Sequence, residues 1–254
     1  MLTDERLDRI RELLNANGKV LANGLAMQFN VSEDTIRRDL RELAKLGVCR
    51  RVYGGALLPT PDLGTLAART SARQDGKANL ARAAAGLIKD GQTIFIDAGS
   101  TNLAIASAFS RDTKLTVVTN APAIATALSD HANCTIIVLG GVYDRVKGAC
   151  LGAQAIREAS KIFADMFILG ACGVDTVAGV TALDAGEAEI KRMMVEQSSL
   201  LLIAATSDKL GTVAPFKIAE ASRIDHLIIE EDAGDTAAFE QADVQVHVAQ
   251  SGQH

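Results

Sequence analysis

The chain has 254 residues, of which 48% are hydrophobic and 22% charged, and its formal net charge at pH 7 is −5. This balance is typical of a globular protein with a substantial core, and the length suits one or two domains. No apolar run approaches the roughly 20 residues that span a bilayer, and the charged N-terminus lacks the apolar stretch of a signal peptide. We therefore expect a cytoplasmic protein with no membrane partner.

The charge is divided unevenly along the chain. Residues 1–58 contain ten Lys and Arg against eight Asp and Glu, a net charge of +2. Residues 59–254 contain sixteen Lys and Arg against twenty-three Asp and Glu, a net charge of −7. A positive segment ahead of an acidic remainder indicates two parts with different partners, and the first part is the candidate for binding nucleic acid.

Three short helices are predicted within the first 58 residues. Residues 4–16 place leucine and isoleucine at helical spacing, and Asn17-Gly18 ends this helix because glycine tolerates the left-handed conformation. A second helical pattern covers about residues 22–28. The third helix begins after Ser32, a favourable N-cap, and ends at Gly47. Three short helices with a tight turn between the second and third describe a helix-turn-helix.

The third helix carries most of the residues that we expect to bind DNA. Its apolar positions fall on one face, which leaves its arginines free to enter the major groove and bind phosphates or guanine edges. Asp39 is expected to orient a neighbouring arginine. The following segment alternates around Arg51 and then reads Gly54-Gly55, which predicts a small β-hairpin, the wing. The predicted DNA-binding residues are Ser32, Thr35, Arg37, Arg38, Arg41, Arg50, Arg51 and Tyr53.

This N-terminal sequence resembles the DeoR family of bacterial regulators of sugar metabolism. The stretch from Val31 to Leu40, VSEDTIRRDL, matches the family's recognition-helix pattern, and the stretch from Arg51 to Ala56 matches its wing. The match is long and ungapped, and it departs from the family at Gly24, where an acidic residue is usual. The resemblance implies that residues 1–58 form a winged helix-turn-helix that binds double-stranded operator DNA.

The rest of the chain is predicted to contain a linker, an α/β domain and a tail. Residues 59–76 are rich in proline, glycine and small polar residues and are the best candidate for a linker. From residue 77 to residue 235, continuously apolar strands alternate with helices, which predicts a mostly parallel sheet covered on both faces. Residues 236–254 are acidic and then polar, and we treat them as a C-terminal tail.

Small and polar residues follow several predicted strands, at the carboxyl ends where parallel sheets bind ligands. Residues 97–101, DAGST, open a helix whose free amides and dipole suit an anion. Thr119-Asn120, Gly140-Gly141 and Asp208-Lys209 follow other strands. The pattern favours a small ligand that carries phosphate. Since the chain has neither a P-loop nor a dinucleotide glycine pattern, we predict no ATP and no NAD, and we expect no other cofactor. His131 and Cys134 have a metal-like spacing, but no second pair accompanies them, so we predict no metal.

The α/β region also resembles the DeoR family, from Lys77 to Gly211. Its landmarks appear in order, among them IFIDAGSTN, VVTNAPAIA, DMFILGACGVD and SDKLG. The family's D-x-S-K stretch is here rearranged to A-T-S-D-K, with Lys209 in its usual place. The resemblance implies a sensor domain similar in fold to sugar-phosphate isomerases and coenzyme A transferases, with a phosphorylated sugar or sugar derivative as effector. Carried over by position, the expected effector-binding residues are Asp97, Gly99, Ser100, Thr101, Thr119, Asn120, Gly140, Gly141, Glu187, Lys191, Asp208 and Lys209.

Two functional classes are compatible with these patterns. The first is a homo-oligomeric regulator, dimeric or tetrameric, that represses a sugar-catabolism operon until a sugar phosphate binds. The second is a sugar-phosphate isomerase or transferase with an accessory helix-turn-helix, in which Asp97, Asp184 or Glu187 would act as general base. No histidine is well placed and no nucleophile is paired with a base, so we favour the regulator and expect no enzymatic activity. The sequence does not determine the sign of regulation, so the prediction of repression rather than activation rests on what is usual for the family.

Overall fold

The computed structural model describes residues 2–59, 64–233 and 236–250, and its first segment forms a small helical unit with a strand pair. The elements of this unit are α1 (Thr3–Asn17), β1 (Lys19–Leu21), α2 (Ala22–Phe29), α3 (Glu33–Lys45), β2 (Arg50–Val52) and β3 (Gly55–Pro59). Among the helices in the described ranges, none is both long enough and apolar enough to cross a membrane.

The predicted helix-turn-helix and wing are present, and local sequence explains where their elements end. α1 ends at Gly18, whose φ of 71° is the left-handed conformation that favours glycine. Ser32 caps α3, because its hydroxyl accepts a hydrogen bond from the Thr35 amide at 3.2 Å. Gly55 of the wing lies so close to β1 that a Cβ atom would clash with the Val20 carbonyl. β1, which was not predicted, adds a third strand to the wing by pairing with β3.

One buried ion pair joins α1 to α3 inside an otherwise apolar core. Arg6 Nε lies 2.5 Å from Asp39 Oδ2, and the two side chains are 8% and 4% exposed. The expectation that Asp39 orients a neighbouring arginine of α3 is wrong, since its partner is 33 residues away on α1. The reason is that Asp39 shares the buried face of α3 with Ile36, Leu40 and Leu43, whereas the arginines of α3 face solvent.

The larger part of the chain is an α/β domain built on a parallel sheet, as predicted. Seven strands lie in the order β16-β15-β12-β9-β4-β5-β6, and each neighbouring pair is parallel. These strands are β4 (Thr93–Ile96), β5 (Leu115–Thr119), β6 (Cys134–Val138), β9 (Ala164–Leu169), β12 (Ser198–Ala205), β15 (His226–Glu230) and β16 (Gln245–Ala249). The helices are α4 (Leu66–Ser71), α5 (Gln74–Ala85), α6 (Ser100–Ser107), α7 (Pro122–Ala127), α8 (Ala153–Ala159), α9 (Ala185–Glu196) and α10 (Ala237–Glu240). Separate apolar clusters cover the two faces of the sheet.

Several short antiparallel strands accompany the sheet, and the sequence patterns did not predict them. They are β7 (Val142–Asp144), β8 (Ala149–Leu151), β10 (Gly173–Asp175), β11 (Gly179–Ala182) and β14 (Phe216–Ala219). The segment treated as a tail also differs from expectation. Its residues 245–249 form β16, which pairs with β15 at one edge of the main sheet. Half-buried valines of β16 alternate with polar residues, a pattern too short to predict a strand with confidence from sequence.

The segment treated as a linker contains a helix. α4 lies within it, and α5 begins at Gln74, three residues before the predicted domain start at residue 77. Residues 60–63 of the predicted linker lie outside the described residues. We call residues 64–73 the strap. They contain α4 and directly precede α5.

Strand β3 belongs to both parts of the protein. Its first residues pair with β1 and β2 in the wing, and its last two residues, Leu58 and Pro59, pair with β13 (Thr212–Val213) of the α/β domain. The Leu58 amide also donates to the Gly18 carbonyl at 2.9 Å. The wing is therefore hydrogen-bonded to the segment that follows β12, and the two domains share one four-stranded sheet.

The buried ion pair generates a prediction about stability. Arg6→Ala should destabilise the packing of α1 on α3 by about 3–5 kcal/mol, because it leaves the buried Asp39 carboxylate unpaired. The matched control is Arg9→Ala, whose pair with Glu12 is exposed, and which should cost at most about 1 kcal/mol. Amide hydrogen exchange in α1 and α3 measures the free energy of local opening. Equal protection in the two variants would show that the buried pair does not hold these helices together.

Candidate functional site

The recognition helix α3 presents its polar side chains to solvent. Ile36, Leu40 and Leu43 are buried against the other helices, whereas Arg37, Arg38 and Arg41 are exposed. The sequence of α3, EDTIRRDLRELAK, is strongly amphipathic. The separation follows from the spacing of the apolar residues, which keeps them on one helical face. None of the eight predicted DNA-binding residues is buried.

The three arginines of α3 differ in their hydrogen-bond and ion-pair partners. Arg37 is paired with Glu33 at 2.9 Å and lies 3.6 Å from Asp34. Arg41 Nε donates to the Arg37 carbonyl at 3.3 Å. The Arg38 side chain has no hydrogen bond or ion pair with any described residue. Arg38 can therefore bind an incoming phosphate or base without first breaking an ion pair.

The wing and α3 enclose a groove of about 700 Å³. Arg37 lines one side of it, and Arg51 and Tyr53 line the other. Tyr53 is 98% exposed, so its ring and hydroxyl are accessible to a ligand in the groove. The structure thus brings part of the predicted DNA-binding set to one concave surface, although its use by DNA remains a prediction.

A second cavity, of about 250 Å³, lies beyond the carboxyl ends of β4, β9 and β12. These strands are neighbours in the middle of the sheet, so the residues that follow them meet at one edge. Residues 98–102, 170–172 and 204–209 contribute to its wall, and residues of the strap and the start of α5 complete it.

A buried ion cluster lies beside this cavity and joins β4, β9 and α9. Lys191 Nζ lies 3.0 Å from Asp97 Oδ2 and 2.6 Å from Glu187 Oε1, and it also donates to the Gly170 carbonyl. The Gly170 amide donates to Asp97 Oδ1 at 2.7 Å, and Asn102 Nδ2 donates to the same oxygen at 2.9 Å. Burial alone would lower the pKa of the Lys191 ammonium, but the two carboxylates outweigh burial and hold that pKa above its ordinary value.

The N-terminus of α6 faces the cavity with polar groups that lack partners. Gly99, Ser100 and Thr101 all line the cavity. Thr101 Oγ1 and Asn102 Oδ1 are buried and have no hydrogen-bond partner among the described residues. The first amides of a helix also have no intrahelical acceptor, and the helix dipole adds positive potential there. Buried polar atoms without partners are costly, so this end of the cavity is built for a polar or anionic ligand.

Four cationic side chains line the cavity, and they are compensated to different extents. Arg73 is paired with Asp208 at 2.5 Å, and Lys77 donates to the carbonyls of Arg69 and Ala72, the latter at 2.6 Å. Lys209 and Arg69 have no described carboxylate within ion-pair distance. Burial lowers the pKa of the Lys209 ammonium, because a charge taken out of water is disfavoured.

The cavity gathers some of the predicted effector-binding residues and leaves out others. Those that line it are Gly99, Ser100, Thr101, Glu187, Asp208 and Lys209. Asp97 and Lys191 lie beside it in the ion cluster. Those outside its lining are Thr119, Asn120, Gly140 and Gly141. They follow β5 and β6, which lie farther along the sheet, and Asn120 Nδ2 is bound to the Cys150 carbonyl at 3.0 Å.

Sequence analysis missed the contribution of the predicted linker to this cavity. Arg69, Arg73 and Lys77 follow one another at intervals of four residues, although α4 ends at Ser71 and α5 begins at Gln74, so they do not lie on one helix. That spacing was the available signal, but the prolines and glycines around it favoured a linker. Asn102 and Thr206 also line the cavity, and each is at most 2% exposed.

The comparisons with known proteins agree with this architecture. A model described as the DeoR-like helix-turn-helix domain matches residues 6–62, and one described as the DeoR C terminal sensor domain matches residues 72–231. The glycerol-3-phosphate regulon repressor of Escherichia coli (strain K12) is 32% identical over 226 residues, which cover 89% of this chain and 90% of that protein. The HTH-type transcriptional regulator GolR of Listeria innocua is 30% identical over 254 residues, which cover 98% of this chain and 100% of GolR.

Among solved structures, ribose 5 phosphate isomerase A from Neisseria gonorrhoeae aligns with a TM-score of 0.40 and 17% identity, covering 54% of this chain and 53% of that one. A likeness at this level supports no conclusion about activity.

A winged helix-turn-helix joined to an α/β sensor domain defines a DNA-binding transcriptional regulator. The chain belongs to the DeoR family. The resemblance found in the sequence is thereby confirmed, for the DNA-binding part and for the sensor part.

The unpaired state of Arg38 generates a prediction about DNA binding. Arg38→Ala should weaken binding by about tenfold and reduce the slope of log affinity against log salt by about 1, as expected for loss of one phosphate contact. The measurement is an electrophoretic mobility shift at several salt concentrations, on DNA that the wild-type protein selects from a random pool. Arg82→Ala, an exposed arginine of α5, is the control and should bind as the wild type does. Unchanged affinity and slope in Arg38→Ala would remove this residue from the interface.

Proposed function

We propose that this protein represses a sugar-catabolism operon and that a phosphorylated sugar, bound in the cavity of the sensor domain, relieves the repression. The observation that carries the proposal is Lys209, a partly buried ammonium that lines the cavity and has no carboxylate within ion-pair distance among the described residues. A desolvated charge of this kind is stabilised when an anion binds beside it.

The chemistry of the cavity suits a phosphate ester better than a neutral sugar. The amides at the start of α6 and the Thr101 hydroxyl can donate to phosphate oxygens, and Lys209 supplies charge. Asn102 Oδ1 is an acceptor without a partner, so it can accept a hydrogen bond from a sugar hydroxyl. Donors and acceptors together fit a ligand with both a phosphate and hydroxyl groups.

The names of the relatives support the same class of effector and the same sign of regulation. One relative is named for the glycerol-3-phosphate regulon and is called a repressor, and the Bacillus subtilis protein GlcR is likewise named a transcriptional repressor. The proposed effector is therefore the phosphate ester of a carbon source, which signals that this carbon source is available.

Relief of repression requires that the effector bind two conformations of the protein unequally. The DNA-bound state would present paired recognition helices of a homo-oligomer at half-site spacing, and the effector-bound state would not match that spacing. The shared strand β3 supports such a link, since any movement of β13 against the wing displaces its hydrogen-bonded neighbour.

The candidate general bases beside this cavity are held in structural contacts, so we do not propose that it is catalytic. Of the three general bases considered from sequence, Asp97 is 1% exposed and is engaged by Lys191, Asn102 and the Gly170 amide, and Glu187 is paired with Lys191 at 2.6 Å. A carboxylate held in this way lacks access to a substrate proton. Asp184 accepts from the Glu187 amide at 3.0 Å as the cap of α9, which gives it a structural role.

The role of Lys209 is tested by removing its charge. Lys209→Met should weaken the binding of sugar phosphates roughly tenfold to a hundredfold, the cost of one charge-assisted hydrogen bond. Isothermal titration calorimetry with a panel of sugar phosphates measures this, after thermal-shift screening has found a ligand of the wild type. Lys161→Met changes an exposed lysine outside the cavity and should bind normally. Full affinity in Lys209→Met would contradict the proposal.

A larger residue in place of Gly99 can fill the cavity without disturbing the fold. The φ of 175° at Gly99 is extended backbone that any residue adopts, and a Cβ atom there would come no closer than 3.8 Å to Asn102. Gly99→Val should therefore fold and bind DNA as the wild type does, yet release DNA poorly when the sugar phosphate is added. Release of DNA at the wild-type effector concentration would show that the ligand binds elsewhere.

A further inference from the structure

We propose that Arg69, in the strap between the two domains, binds the anionic group of the effector, so that the effector fastens the strap to the sensor cavity. This inference rests on the proposed function, because it assumes a phosphate-bearing ligand in that cavity. It adds a binding residue from a segment that the sequence suggested was only a linker.

The strap forms one wall of the cavity. Ala68, Arg69, Ala72 and Arg73 all line it. The strap is held on the sensor domain by contacts outside the cavity, where the Leu66 amide donates to the Val146 carbonyl at 2.9 Å. Its end is held by Lys77, whose ammonium binds the last carbonyls of α4. These contacts place the strap at the cavity.

Within the described part of the chain, the Arg69 guanidinium has no partner of opposite charge. No described carboxylate lies within ion-pair distance of it, and its Nε atom is buried without a hydrogen-bond partner. Its one described side-chain bond is a long one, from Nη2 to the Lys147 carbonyl at 3.4 Å. Arg73, four residues later, is by contrast paired with Asp208 at 2.5 Å.

An unpaired guanidinium beside a cavity selects for an anion. Its planar set of donors can bind two oxygens of one phosphate at once, which a lysine ammonium cannot do in the same geometry. Lys209, which lines the same cavity and also lacks a carboxylate partner, makes the wall doubly cationic. A phosphate held by both residues would bridge the strap and the segment after β12.

Both of these segments lead to the last residues of β3. The strap begins five residues after Pro59, the end of β3, and the segment that carries Lys209 continues into β13, which pairs with Leu58 and Pro59. A ligand held between Arg69 and Lys209 therefore connects two segments. One is the strap, which follows β3 in the chain, and the other leads into β13, which pairs with β3. This gives the bound phosphate a physical connection to the DNA-binding unit.

The test uses the full-length protein and inorganic phosphate as the probe. Calorimetry measures phosphate affinity, and amide hydrogen exchange measures protection of residues 64–73 and of β3 with and without phosphate. In the wild type, phosphate should slow exchange in both segments. Arg69→Ala should bind phosphate roughly tenfold or more weakly and, even when saturated, should show no added protection of the strap. Arg145→Ala changes an exposed arginine near the strap that does not line the cavity, and it should behave as the wild type does.

The outcomes separate this inference from the proposed function. If the wild type binds neither phosphate nor any sugar phosphate, the proposed function fails and this inference fails with it. If the wild type binds phosphate and Arg69→Ala binds it equally well with the same protection of the strap, only the role of Arg69 is overturned. If Arg69→Ala loosens the strap before phosphate is added, Arg69→Gln, which keeps most of the side-chain length, replaces it. Wild-type phosphate affinity in Arg69→Gln overturns the role of Arg69, and weakened affinity supports it.

Discussion

The sensor cavity depends on the buried ion cluster of Asp97, Lys191 and Glu187. The cluster joins the end of β4, the turn after β9 and the helix α9, which are far apart in sequence. A buried lysine is tolerated only where its charge is compensated, and here two carboxylates and a backbone carbonyl do so. With these three elements fixed, the N-terminus of α6 and residues 170–172 are held on the same cavity.

The cluster also explains why the cavity has a particular sign of charge. Lys191 compensates one of the two negative charges that Asp97 and Glu187 can carry, and burial raises the pKa of the Asp97 carboxyl, which disfavours its charged form. Arg73 and Asp208 compensate each other. The cationic side chains of the cavity without a described carboxylate at ion-pair distance are Arg69, Lys77 and Lys209, and the dipole of α6 adds positive potential. An acidic chain thus contains a cavity that favours anions.

Two surfaces are therefore proposed to bind anions, and salt screens the charges on each to a different extent. The arginines of α3 and of the wing are exposed, so their interaction with DNA phosphates is screened by salt and falls steeply as ionic strength rises. In the cavity, Arg69 and Lys209 are partly buried and Thr101 is buried, so screening of these groups is weaker. The strand β3, shared between the wing and the sensor domain, connects the two surfaces through backbone hydrogen bonds.

The sequence by itself determined the features that depend on contacts within a few residues. The cap at Ser32, the left-handed Gly18 and the wing glycines mark their elements locally. The alternation of apolar strands with helices was enough to predict a parallel sheet with ligand-binding residues at its carboxyl edge.

Only the tertiary structure decided which distant residues meet. It paired Asp39 with Arg6, placed the strap against the cavity, left Thr119 and Asn120 outside the cavity and added β16 to the sheet. The physical reason is that strand order and helix packing bring residues together across tens of positions, from 33 for Arg6 and Asp39 to 135 for Arg73 and Asp208. Local periodicity and capping contain no information about such pairs.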